Sequence, residues 1–230
     1  MPSPSGGILP LRFEGVGLEL GGATRLHDLD FELEAGPCSV ILGPNGAGKS
    51  LTLRLAHGLL QPSRGRVCWL GPRAAEAASQ QAMVLQRPVL LRRRVTANLD
   101  YALRLRRVPA PERRDRVAET LERAGLSALA GRPARSLSVG EQQRVALARA
   151  WVVSPEVLWL DEPATALDPG ATRALEETIR SIRASGTKIV MSTHDLGQAR
   201  RLADEVLFLH RGRLLEQSPA ATFFSAPATP

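Results

Sequence analysis

The sequence predicts an α/β fold: a mainly parallel sheet with helices between its strands, an antiparallel β group in front of it and a helical insert within it. Three observations carry this expectation. Apolar runs at 38–42, 157–160, 188–193 and 205–210 alternate with turns and helical patterns, the rhythm of βα units and so of parallel strands. From Leu11 to Leu33 the pattern is short and alternating instead, broken by Gly15, Gly17, Gly21 and Gly22, which suits antiparallel strands. From Arg87 to Ser136 the texture changes, and Pro88, Pro109, Pro111 and Pro133 punctuate helical segments.

The run Cys38 to Leu42 leads into Gly43-Pro44-Asn45-Gly46-Ala47-Gly48-Lys49-Ser50, and a helical pattern with Leu53, Leu55 and Leu59 leads out. The eight residues fit the P-loop pattern G-x-x-x-x-G-K-[ST]. Its glycines let backbone N–H groups turn toward phosphate oxygens, the following helix adds its positive end, and Lys49 neutralises the outer phosphates, with Ser50 placed to ligate Mg²⁺. The stretch 61–65 reads as a turn, Arg66 to Leu70 as a strand, and a polar, alanine-rich connection leads to a strand at Ala82 to Gln86.

Helices are expected at Thr96 to Arg106 and at Glu112 to Ala124, the second with Val117, Leu121 and Ala124 on one face and Gly125 as its stop. Residues 87–136 form the helical subdomain of this reading. Ser138 and Glu141 have capping-box spacing ahead of a helical run at Gln142 to Val152, and an exposed helix start with Ser138 and Gly140 also suits an anion.

Val157 to Leu160 is an apolar strand ending in Asp161 and Glu162. Beside the P-loop strand it would deliver both carboxylates to the phosphate end of the sheet, Asp161 for the Mg²⁺ shell and Glu162 to polarise a water. His194 follows the strand ending Met191-Ser192-Thr193 and should stand at the same edge. Gly212 turns into a last strand, and residues 217–230 are expected as a short tail.

With 230 residues, 43% of them hydrophobic, the chain can bury the core of one sizeable domain. It holds no apolar run of 18 residues, and Met1 to Pro10 lacks the basic and apolar segments of a signal peptide, so a cytoplasmic protein is expected. Cys38 and Cys68 lie in apolar runs and read as buried thiols. The net charge of +7 invites a nucleic-acid reading, but arginines interleaved with acids, as in Arg173, Glu176, Glu177 and Arg180, argue against one. The densest basic patch, Arg92 to Arg94 with Arg104, Arg106 and Arg107, suits acidic headgroups, a partner's acidic surface or plain solvation.

In this order the motifs resemble the nucleotide-binding subunit of the ATP-binding cassette (ABC) transporters, over nearly all of residues 1–230. The resemblance implies a P-loop NTPase core that uses ATP and Mg²⁺. It implies Gln86 as the Q-loop glutamine, Leu137 to Glu141 as the signature, Asp161 and Glu162 as the Walker B pair, Thr165 to Asp168 as the D-loop and His194 as the switch histidine. It further implies a head-to-tail homodimer in which Ser138 and Gly140 of one chain close on the ATP of the other's P-loop, giving two composite sites.

Three positions depart from the family pattern. Val139 replaces the first glycine of Leu-Ser-Gly-Gly, Leu51 follows Ser50 where threonine is usual, and no aromatic stands near Leu20 to stack on adenine. The resemblance implies the separate ATPase subunit of a bacterial importer, docked through a groove beside Gln86 on an integral-membrane permease at the inner face of the membrane, and served indirectly by a substrate-binding protein. Residues 83–93 and 194–204 look most like tungstate-type oxyanion importers, for tungstate or molybdate. Import of phosphate or amino acids, a soluble ABC ATPase acting on the ribosome or nucleic acid, and a degenerate cassette that binds ATP only to signal remain the alternatives.

Overall fold

The computed structural model describes residues 6–225. The first half of the Met1 to Pro10 segment and residues 226–230 of the expected tail lie outside the described residues. Strands β1 (Leu11–Leu20) and β2 (Ala23–Leu33) pair antiparallel across the Gly21-Gly22 turn, and β4 (Arg64–Trp69) joins the other edge of β1. This three-stranded sheet is the expected β group, with β4 as a member that its position after the first helix gave no reason to place there.

The second sheet has six strands in the order β5 (Gln81–Val84), β6 (Val157–Asp161), β7 (Lys188–Thr193), β3 (Ser39–Leu42), β8 (Glu205–His210), β9 (Arg213–Pro219). All neighbours pair parallel except β8 and β9. One expectation needs correcting: β6 does not lie beside the P-loop strand β3, because β7 runs between them. Sheet order is set by how crossovers pack, which the local pattern of a strand does not record.

Strand alternation divides the core. Val40, Leu42, Leu158, Leu160, Ile189 and Met191 face one way, against helices α4 (Val139–Trp151) and α5 (Pro169–Ala184). Ile41, Val157, Trp159, Val190 and Leu207 face the other way, against α1 (Lys49–His57) and the antiparallel sheet, whose Phe13 and Phe31 stack at 4.3 Å. Strands covered on both faces have no polar side, which is why they read as continuous apolar runs.

Between β5 and α4 lie α2 (Val95–Leu105), α3 (Ala110–Arg123) and two short 3₁₀ turns. Val117, Leu121 and Ala124 are buried, and Gly125 follows with φ 62°, the left-handed backbone that ends a helix. After β7 comes α6 (Leu196–Leu202). The expected tail begins inside β9 and continues as helix α7 (Ala220–Ser225), whose Phe223 packs 5.9 Å from Phe208. Among the described residues no helix is long and apolar enough to cross a membrane.

Candidate functional site

The loop between β3 and α1 turns at Gly48, whose φ of 104° suits glycine and whose Cβ, if present, would lie 2.4 Å from Leu26. Helix α1 starts without a side-chain cap and without an acid in its first turn. By contrast α4, α5 and α6 are capped by Ser138, Asp168 and Asp195. The open N–H groups and positive end of α1 therefore face a cleft of about 430 Å³, bounded by Leu20, Arg25, Asn45, Lys49, Leu51 and Glu162, with Gly46, Ala47, Gly48 and Ser50 completing the loop wall.

Lys49 is buried, and its Nζ donates to the carbonyls of Gly43 at 2.8 Å and Pro44 at 3.1 Å. The same Nζ lies 3.1 Å from Glu162 Oε1. Ser50 Oγ donates to Asp161 Oδ1 at 2.7 Å. Asp161 comes within reach of Ser50 although β7 intervenes, because it is in register with Ser192 at the end of that strand. Ser192 Oγ donates to Asp161 Oδ1 at 2.9 Å and accepts the Glu162 N–H at 3.0 Å, so one buried hydroxyl fixes both acids.

Glu162 takes φ 44°, an unusual value for a side-chain-bearing residue, and this turns its carboxylate back over the P-loop. Its Oε2 accepts from Thr165 Oγ1 at 3.1 Å and lies 3.3 Å from His194 Nδ1. Burial pushes the Glu162 carboxyl up, but the hydrogen bond and charge of Lys49, with Thr165 and His194, more than offset this and hold it below the usual carboxylate range. Among the described residues no group of three or more His, Cys, Asp or Glu could cage a metal. A hard cation here would draw one hydroxyl and one carboxylate from the chain and its remaining oxygens from phosphate and water, which suits Mg²⁺.

Lys49, Ser50 and Glu162 thus line one cleft, and Asp161 and His194 adjoin it through Ser50 and Glu162. Gln86, Ser138, Gly140 and Asp168 do not enter it. Gln86 is exposed, two residues beyond β5. Ser138 and Glu141 form the capping box, with Ser138 N donating to Glu141 Oε2 at 2.8 Å. Asp168 Oδ1 accepts the Ala171 N–H at 2.8 Å as the cap of α5. Gly140 lets α4 approach α5, since a Cβ there would lie 2.6 Å from Ala171 Cβ, while Val139 is 60% exposed. Two residues of the site escaped sequence reading: Arg25, which lines the cleft from β2, and Ser192, buried behind Asp161, whose only signal was a hydroxyl late in an apolar strand.

The model of the ABC transporter family matches residues 26–165 of this chain. The chain belongs to the ABC transporter family. Among relatives of this cassette, the tungstate uptake system ATP-binding protein of Peptoclostridium acidaminophilum is 39% identical over 85% of the chain and 92% of the relative. The nickel import ATP-binding protein of Rhodobacter capsulatus is 38% identical, over 94% of the chain and 91% of the relative. The sulfate/thiosulfate import ATP-binding protein of Mesorhizobium japonicum is 36% identical, over 96% and 67%. A solved structure from Clostridium perfringens, part of the ABC transporter complex cbiONQ, superposes with a TM-score of 0.84 at 28% identity over 94% of the chain and 90% of that structure. The cassette is an ATP-binding enzyme, an ATPase.

A second concavity of the cassette, about 280 Å³, lies beside Gln86 and is lined by Met83, Leu85, Pro88, Val89, Leu105 and Val153 among others. Val89 is 68% and Leu105 66% exposed, large apolar groups for which folding provides no cover.

Proposed function

We propose that this ABC ATPase powers a bacterial importer for an oxyanion such as tungstate or molybdate. The observation that carries the hydrolytic reading is the convergence of Lys49 and Ser50 with Asp161, Glu162 and His194 at one edge of the sheet. The γ-phosphate of ATP takes the place of Glu162 at Lys49 Nζ. Glu162, released, aims a water at phosphorus and receives its proton as ADP departs, and His194 holds the γ-phosphate. Mg²⁺ would be held by Ser50 and Asp161, with Gln86 reaching it from outside the cleft, and would supply charge neutralisation on the phosphates.

The residues absent from the chain's own cleft belong, in this reading, to the site of a second copy. Ser138 and Gly140 close on the partner's ATP, with Asp168 beside them, in a head-to-tail homodimer. Residues 87–136 act as the helical subdomain of a single nucleotide-binding domain spanning 1–230, and the apolar groove beside Gln86 receives an integral-membrane permease. That docking keeps the cassette peripheral at the inner face, with a substrate-binding protein as indirect partner. The tungstate relative supports the oxyanion reading, while the nickel relative shows how widely cargo varies among similar cassettes.

The test is capture of membrane proteins from source-cell lysate on tagged Glu162→Gln chain loaded with ATP. A retained permease, with a cognate binding protein that binds tungstate or molybdate, is the expected result. A binding protein that takes only phosphate or an amino acid overturns the cargo, and ribosomal proteins without a permease overturn the transport role.

A further inference from the structure

The positive charge of the molecule is gathered in one place. Residues 87–107 hold seven arginines (Arg87, Arg92, Arg93, Arg94, Arg104, Arg106 and Arg107) against one aspartate, a net +6 in a chain of +7. All seven are exposed, and among the described residues none of them pairs with a carboxylate, since Asp100 is taken by Arg113 at 2.6 Å. Arginines elsewhere are commonly paired, Arg73 with Glu76 and Glu156, and both Arg180 and Arg201 with Glu176.

Folding gives no reason for this arrangement. Arg92 to Arg94 precede the first turn of α2, the positive end of the helix dipole, where cations are unfavourable, and α2 has no acid in that turn to offset them. The second cluster stands at the other end of the 11-residue helix, about 16 Å away. Between the clusters α2 exposes Tyr101, with Arg93 laid over its ring at 5.6 Å, and Leu105 is exposed within the second cluster.

We propose that the arginine-rich segment 87–107, which flanks α2 at both ends, lies against anionic phospholipid headgroups. Two unpaired clusters that far apart suit a continuous sheet of negative charge better than a few fixed carboxylates, and exposed Tyr and Leu among arginines are the composition of a surface seated at a membrane interface. Nucleic acid would use aromatic faces for stacking, and the exposed ring here already carries Arg93. Arg106 and Leu105 also line the groove beside Gln86, so the patch is continuous with the surface assigned to the permease and rests on that reading for its orientation.

Sedimentation of the full chain with sucrose-loaded vesicles tests it. On 30% phosphatidylglycerol in phosphatidylcholine, binding is expected to exceed that on phosphatidylcholine alone and to weaken between 0.05 and 0.5 M NaCl. The triple variant Arg92→Ser/Arg93→Ser/Arg94→Ser should lower vesicle affinity about 100-fold, and the double variant Arg104→Ser/Arg107→Ser about 30-fold, each at unchanged basal ATPase rate. A control with the same charge removed elsewhere, Arg54→Ser/Arg211→Ser/Arg213→Ser, should not. Equal binding to both vesicle types, an equal loss in the control, or binding to polyglutamate or duplex DNA without binding to vesicles each overturns the proposal. The vesicles contain no permease, so a negative result leaves permease capture by the ATP-loaded chain to stand or fall separately.

Discussion

Ser192 shows at the scale of one side chain what the sequence could not declare. A serine late in an apolar strand reads as a small core residue, yet its hydroxyl ties Asp161 to the Glu162 backbone. Ser192→Ala should cut kcat by about 10- to 100-fold, the usual range for losing a partner that orients a ligating carboxylate, with little change in KM, because both acids lose their alignment while the P-loop stays intact. Steady-state kinetics with ATP decides this, and a change confined to KM would remove Ser192 from the positioning role. Lys49, Ser50 and Glu162 were legible because phosphate chemistry demands particular residue types at short spacing. Arg25 was not, since it reaches the cleft through the pairing of β2. Lys188 offers a pH test. It is buried, donates to Ser39 Oγ at 2.8 Å, and burial pushes its ammonium down to about 8 despite nearby Glu205. A base whose pKa falls on folding binds more protons when unfolded, so its destabilisation is complete below pH 8 and fades as pH rises toward 10.5. Lys188→Met should raise Tm at pH 7, by up to about 3 kcal/mol in stability, and less at pH 10. Glu205 keeps its hydrogen bonds to Ser39 and Gln217 in that variant.

Among elements, the helix starts separate into two kinds. Those of α4 and α5 are closed by their own side chains, whereas α1 is left open toward the cleft. Ser138→Ala removes a capping box and should cost about 1 kcal/mol of stability, read as a lower urea midpoint. If Ser138 also meets the nucleotide of a second copy, ATP turnover in that variant falls more than stability explains, and a Ser138→Asp variant restores the midpoint without restoring turnover. The strands and most helices were legible because period-two and helical patterns survive in the sequence. Sheet order was not, since nothing within Val157 to Leu160 tells that β7 will stand between it and β3. The end of the chain was misread for a related reason: α7 is only Ala220–Ser225, too short to show a helical period, and its Phe223 and Phe224 find their neighbours only in the folded state.

For the whole molecule, the nucleotide cleft and the groove beside Gln86 are separate surfaces joined through β5 and β6, the strand that carries Asp161. Leu105→Asp should therefore leave basal ATP hydrolysis within about two-fold of the parent, as expected of surface changes remote from the chemistry, while abolishing permease capture. Equal loss of both would mean that the groove belongs to the folding unit of the catalytic edge. Charge follows a partition of its own: the sequence marks residues 92–107 as the densest basic stretch, and the structure adds that its arginines are exposed and unpaired while Arg73, Arg180 and Arg201 hold carboxylates.

The contact between Lys49 and Glu162 has one further consequence. The cleft already contains an occupant, the enzyme's own carboxylate, held at the ammonium that would meet a phosphate oxygen. Nucleotide must outbid this internal competitor, so part of the intrinsic affinity for ATP is spent on eviction. Glu162→Gln weakens the competitor by removing its charge, and the variant that cannot hydrolyse ATP should for that reason hold it several-fold more tightly than the active enzyme does.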